Sequence, residues 1–293
     1  MTISIAYLGP PGTYTEVAAM VWSAQAFELE QVTLCPYASI SQALRATVAG
    51  QTQYTVAPVE NSIEGSVTTT LDTLWQLETL QIQQAIVLPI SHALISCAQS
   101  IETIQTIYAH PQSLAQCQIW LENHLPSVQL IPTNSNAEAL QHLEANPKIG
   151  AIASQRAARL YNLPILAHPI NDHPDNCTRF WALGLHPVKE GSHTSLAFSL
   201  PANVPGALAK PLQIFAERGL NLSKIESRPT KKSLGDYLFF VDIEGSVDQP
   251  KTQAAIEELQ SYTETLKIFG SYKILPPAAT KTATENYSDS LHA

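Results

Sequence analysis

From residue 3 onward, short β-branched apolar runs alternate with stretches of helical period. The runs at 3–8, 32–35, 54–59, 104–109, 128–131 and 149–153 have the length and composition of strands. Between them, Thr13 with Glu16 and Ser39 with Gln42 show capping-box spacing, where a side-chain oxygen receives a backbone N–H three residues on. Residues 113–124 and 135–145 complete the helices, and another begins near Val67. This pattern predicts an α/β fold to about residue 185. A Gln-rich strand at 80–89 runs through a proline into an apolar run at 90–97, which predicts a crossing between two lobes, with a return near His168.

A second unit follows. Residues 186–193, with Pro187 and Gly191, read as a linker. Beyond it come a strand at 194–200, a helix at 206–218, strands at 222–228 and 237–243, a helix at 251–261 and a strand at 265–268. That βαββαβ order is ferredoxin-like. From Pro276 small and polar residues dominate without period, so a disordered tail is predicted over 276–293.

Composition narrows the function classes. The chain of 293 residues can hold two domains with separate cores. It shows no signal-peptide pattern and no apolar run of membrane-spanning length, which predicts a cytoplasmic location without membrane contact. Cys35, Cys97, Cys117 and Cys177 form no C-x-x-C pair, and the histidines lack ligand spacing, so neither metal nor cofactor is predicted. Residues 1–185 hold five Lys/Arg against thirteen Asp/Glu, which disfavours nucleic acid as a partner. An anionic substrate there would rest mainly on helix N-termini, backbone N–H groups and hydroxyls. No G-x-G-x-x-G or P-loop is present, so a nicotinamide dehydrogenase is disfavoured.

Four segments carry candidate chemistry. In Thr178-Arg179-Phe180 a hydroxyl donor adjoins a guanidinium, a pair able to hold an oxyanion and assist a leaving group, although a cross-strand pair reads the same way. Arg179 can contact substrate or pair with Asp172 or Asp175. Glu60-Asn61-Ser62 ends a strand before the turn at Gly65, where N–H groups and the hydroxyls of Ser62, Ser66 and Thr68 can bind a carboxylate; Ser66 can equally be a helix cap. Gly9-Pro10-Pro11-Gly12-Thr13 forms another strand-to-helix loop. Tyr108-Ala109-His110-Pro111-Gln112-Ser113 leads into a helix whose first turns carry Gln116 and Cys117, with His110 in a structural place.

Taken in this order, these motifs resemble prephenate dehydratase. Asn203-Val204-Pro205-Gly206-Ala207-Leu208 and Glu226-Ser227-Arg228-Pro229 resemble the effector-binding motifs of the ACT domain that follows it in the family. The resemblance implies a periplasmic-binding-protein-like (type II) catalytic domain at 1–187. Lobe one would comprise about 1–80 and 160–185, and lobe two about 81–159, with an ACT domain at 194–275. It implies loss of water and carbon dioxide from prephenate, with Thr178, Glu60, Asn61 and Gln116 catalytic and Ser62, Gly65, Ser66, Arg179 and Phe180 binding substrate. Glu60 or a water would complete a proton relay with Thr178. L-phenylalanine would act at Asn203, Pro205, Gly206, Ala207, Leu208, Glu226 and Ser227 in a homodimer or homotetramer. Ala109 stands where some members carry serine, and Val204 and Lys210-Pro211 depart from the commonest ACT pattern. Arogenate dehydratase and a non-enzymatic amino-acid sensor remain alternatives. A fused chorismate mutase is not expected, because the motifs begin at residue 9.

Overall fold

The computed structural model describes residues 2–28, 31–143, 146–188 and 190–277. The predicted tail lies outside these residues from 278 onward. Lobe one opens with β1 (Ile3–Leu8), α1 (Tyr14–Ala26), β2 (Val32–Tyr37), α2 (Ile40–Val48), β3 (Tyr54–Asn61), β4 (Gly65–Ser66), α3 (Thr68–Gln76) and β5 (Gln81–Pro89). Lobe two contains β6 (His92–Ile95), β7 (Thr106–Ala109), α4 (Pro111–Ala115), α5 (Gln118–His124), β8 (Gln129–Pro132), α6 (Asn136–Ala139), β9 (Ile149–Ser154), α7 (Gln155–Leu160) and β10 (Ile165–Ala167). The chain then returns to lobe one as β11 (Cys177–Gly184). The C-terminal unit is β12 (His193–Ser199), α8 (Ala209–Glu217), β13 (Leu222–Pro229), β14 (Tyr237–Ile243), α9 (Pro250–Gln260) and β15 (Thr265–Leu275).

Both predicted N-caps form. Thr13 accepts the Glu16 N–H at 3.3 Å while the Glu16 carboxylate accepts the Gly12 N–H at 2.7 Å, and Ser39 accepts the Gln42 N–H at 3.2 Å. The helix predicted at 113–124 is instead broken between α4 and α5. Asp172, far along the chain, takes the N–H groups of Ile119 and Trp120 at 2.9 Å each and so starts α5 afresh. This leaves Gln116 as the C-cap of α4 rather than a residue within a continuous helix, and it removes Asp172 as a partner for Arg179. The residues after 160 also sort differently from the expected lobe boundary. β10 pairs with β6 in the second sheet, so lobe one resumes only at β11.

The lobe-two sheet runs β10-β6-β9-β7-β8. The other sheet has ten strands in the order β13-β14-β12-β15-β5-β11-β3-β1-β2, with β4 on β3, and therefore passes from the C-terminal unit into lobe one. The bridge is β15, predicted only to 268 but extending to Leu275. Its first part pairs with β12 and its end, Lys273 to Leu275, runs parallel to β5. Gly270, at φ +118°, sits at a register shift within the pairing with β12, a backbone state open to glycine.

One core spans the seam. Leu71, Leu74, Trp181 and Leu183 of lobe one pack with Leu238, Phe240, Phe269 and Tyr272 of the C-terminal unit. Charge reinforces it, because the acid excess of lobe one meets cations from the other unit. Arg228 grips Asp72 through Nε and Nη2, both at 3.1 Å, and Lys231 adds a contact at 2.7 Å. Lys267 donates to the carbonyls of Leu74, Trp75 and Leu77 at the C-terminus of α3, where the helix dipole favours a cation. Burial lowers its pKa to about 8, so at neutral pH the ammonium is retained. Lys267→Met is expected to destabilise the protein by about 1–3 kcal/mol, since it strips a charged donor from orphan carbonyls. Unchanged denaturant unfolding would show that this cap contributes nothing.

Candidate active site

The end of β3 lies beside the start of β11 in a register that pairs Asn61 with Thr178 and Glu60 with Arg179. Successive side chains on a strand point to opposite faces. Asn61 and Thr178 therefore face the space between the lobes, and Glu60 and Arg179 face the C-terminal unit.

On the lobe-facing side a chain of polar side chains crosses from one lobe to the other. Asn61 Nδ2 donates to Thr178 Oγ1 at 3.0 Å and to Asn176 Oδ1 at 2.8 Å, while its Oδ1 accepts the N–H groups of Ile63 and Glu64. Asn176 Nδ2 donates to Gln116 Oε1 at 3.0 Å, and His92 Nε2 lies 3.0 Å from the same oxygen. Because that oxygen only accepts, Nε2 is assigned the proton. Tyr14 donates to the Ser91 carbonyl at 2.7 Å and packs edge-on against the His92 ring. Asn61, Asn176, Gln116 and His92 are buried, and Thr178, at 8% exposure, is the most open of the five. Accepting from Asn61 does not use the Thr178 hydroxyl's own proton, which stays available to donate.

This wall is neutral. Burial lowers the His92 pKa, outweighing the bond to Gln116 that raises it, and burial drives the Tyr14 phenol well above its ordinary value. No Lys or Arg takes part in the chain described.

The other expected site residues fall elsewhere. Arg179 Nη2 bridges Glu60 Oε2 at 2.6 Å and Asp242 Oδ2 at 2.7 Å, and Glu60 Oε1 lies 3.6 Å from Lys224. Glu60, expected in a relay with Thr178, thus points away from it and serves two cations. Arg179 likewise pairs structurally. Ser66 donates to Glu226 Oε2 at 2.8 Å rather than presenting its hydroxyl between the lobes. Phe180 packs in the core beside Tyr7, Trp22 and Ile86, which corrects its reading as a substrate contact. Ser62 accepts the Cys177 N–H at 3.0 Å and ties the start of β11 to the 61–66 turn, where Gly65 adopts φ +80°. His110 caps α4 by accepting the Gln112 N–H at 3.3 Å.

In the C-terminal unit, Asn203 donates to the Gly235 carbonyl at 2.9 Å and Gly206 turns at φ +83° through Pro205, Ala207 and Leu208. The nine-residue α8 then begins without a side-chain cap. Ser227 lies on the exposed face of the edge strand β13, opposite to Glu226. A cavity of about 220 Å³ adjoins Asn203, lined also by Trp75, Thr230, Asp236, Tyr237 and Glu264.

Residues 5–188 match the family model for prephenate dehydratase, and residues 194–260 match that for the ACT domain. The chain belongs to the prephenate dehydratase family. A bifunctional chorismate mutase/prephenate dehydratase of Aquifex aeolicus is 41% identical over 272 residues, covering 92% of this chain and 73% of that protein. A prephenate dehydratase of Lactococcus lactis subsp. cremoris is 35% identical over 282 residues, covering 93% and 98%. The crystal structure of prephenate dehydratase from Arthrobacter aurescens in complex with L-Phe superposes with a TM-score of 0.83 at 32% identity, covering 99% of both chains. The motifs passed over His92, Asn176 and Tyr14, which the structure joins to Gln116, Asn61 and Thr178. Asn176 lies two residues before Thr178 and was within reach of the motif; His92 follows Pro89 and Ile90 with no periodic signal to mark it.

The buried His92 has a consequence for stability. The unfolded chain takes up a proton near the ordinary value of 6.5, which the folded protein resists. Stability is therefore full above that pH and is lost as pH falls through the window below it. His110 and His168 shift in the same direction, so the informative quantity is a difference between variants. His92→Gln is expected to shrink the loss in unfolding free energy between about pH 7.5 and about pH 5.5 relative to the parent chain. An equal loss in both would show that His92 protonates freely in the fold.

Proposed function

We propose that the chain is a carbon–oxygen lyase that converts prephenate to phenylpyruvate, with the Thr178 hydroxyl as the donor to the leaving group. The observation that carries this reading is the bond from Asn61 to Thr178 Oγ1, which occupies one acceptor lone pair of the hydroxyl and leaves its proton available to the substrate. As the ring carbon–oxygen bond breaks, Thr178 donates a hydrogen bond to the departing hydroxyl, which leaves as water by taking up a solvent proton passed through a water molecule, so that Thr178 keeps its own proton. The electron pair released as the carboxylate carbon departs restores the ring's aromaticity. Gln116 and Asn61 hold the line of donors, and a neutral wall suits the chemistry: a cation close to the ring carboxylate would stabilise the charge that must be lost as carbon dioxide.

The control reading rests on the ACT unit. The Arthrobacter relative was solved with L-Phe, and here the Asn203-to-Leu208 turn opens an uncapped helix start suited to an amino-acid carboxylate. L-phenylalanine is the proposed effector, in a cytoplasmic homodimer or homotetramer. The open edge β13, with Ile225 47% exposed, is a surface that a second copy would cover.

Thr178→Ala is expected to lower prephenate turnover roughly a hundred-fold to a thousand-fold while the fold persists, and Thr178→Ser to restore much of it. Formation of phenylpyruvate is followed, with L-arogenate run in parallel. Arogenate turnover alone would reassign the substrate, and near-normal turnover by Thr178→Ala would remove Thr178 from the mechanism.

A further inference from the structure

The seam holds a buried ionic cluster immediately behind the catalytic strand. Arg179 and Lys224 face Glu60 and Asp242, two cations against two anions. Asp242 is the best-anchored member: Ser195 donates to its Oδ1 at 2.5 Å, and the Ser195 hydroxyl also meets the Tyr272 hydroxyl at 2.7 Å. Asp242 lies on β14 and these anchors on β12 and β15, so Asp242 is fixed by the ACT sheet itself. Glu60 and Arg179, in contrast, sit on the two lobe-one strands next to Asn61 and Thr178.

Strand β13 extends this grip. Its alternate residues Lys224, Glu226 and Arg228 reach Glu60, Ser66 and Asp72, which lie on β3, β4 and α3 in turn. Three consecutive segments framing the 61–68 turn are thus held by every second residue of one ACT strand. The side chains of Asp242 and Lys224 are 4% and 7% exposed, and among the described residues Asp242 Oδ2, Arg179 Nε and Lys224 Nζ lack a well-aligned hydrogen bond. The cluster is therefore held mainly by charge pairing. Turning Arg179 towards a substrate would strip the buried Asp242 of its cation, which burial opposes.

We infer that Arg179 is a positioning residue, and that Asp242 and Lys224 of the ACT unit set the placement of Thr178 through Arg179 and Glu60. This inference rests on the proposed dehydratase reading, because turnover is the readout. The geometry also gives the ACT unit a role in the basal reaction: it completes the frame of the site, whether or not an effector is bound.

The experiment uses the full chain with Asp242→Asn, Arg179→Gln and the double variant, each compared with the parent on prephenate. Asp242→Asn touches no substrate, yet kcat is expected to fall about tenfold to a hundredfold, as for a misplacement of about 1 Å, with KM within about twofold. The double variant is expected to be little worse than either single one, because both remove one contact. A merely structural role would lower the folded yield and leave kcat per folded molecule unchanged. Parent-like kcat for Asp242→Asn, or an Arg179→Gln defect seen in KM alone, would overturn the inference. If Asp242→Asn fails to fold, Lys224→Gln is read by the same criteria. Absence of turnover by the parent chain would instead fail the dehydratase reading, so the two failures are distinguishable.

Discussion

Two neighbours on a β-strand cannot face the same way, and at the start of β11 this sends Thr178 between the lobes and Arg179 into the seam. The same rule divides Asn61 from Glu60 on β3. One short stretch of paired strands therefore has two jobs: its lobe-facing side presents a hydroxyl and an amide, and its back carries the ion pairs that fasten lobe one to the ACT unit. The extended β15 makes the fastening continuous by pairing with both β12 and β5.

That division accounts for the distribution of charge. With five Lys/Arg in residues 1–185, a dicarboxylate site built on cations would be poorly supplied, and Arg179, the one cation inside the motifs, is committed elsewhere. What faces the lobes is a buried neutral chain from Thr178 to His92. Such a wall binds through directed hydrogen bonds and leaves a carboxylate poorly solvated, which is the condition under which decarboxylation is favoured. The cations of the ACT unit, Lys224, Arg228, Lys231 and Lys267, are used at the seam against Glu60, Asp72 and the carbonyl end of α3.

Local signals in the sequence were reliable where the physics is local. The caps at Thr13 and Ser39, the strand periods and the βαββαβ order all depend on residues a few positions apart. The break before α5 was hidden because its cap, Asp172, lies some fifty residues downstream. β15 was cut short because Gly270, at a register shift in its pairing with β12, interrupts its pattern. Thr178, Asn61 and Gln116 could be read from motifs and do come together, whereas Glu60 and Arg179 could not be separated from them: strand alternation implies the opposite face, but only the fold shows that Asp242 and Lys224 wait there. His92 is a lone histidine after a proline, and nothing in its neighbours reveals that it closes a chain from another lobe.

The seam and the adjoining strand segments of β3 and β11 behave as one unit. Hydrogen–deuterium exchange of the full chain, with and without L-phenylalanine, measures this directly. Protection is expected to change together in β13, in residues 60–66 and in residues 177–181. A change confined to residues 203–208, with 60–66 and 177–181 untouched, would contradict it.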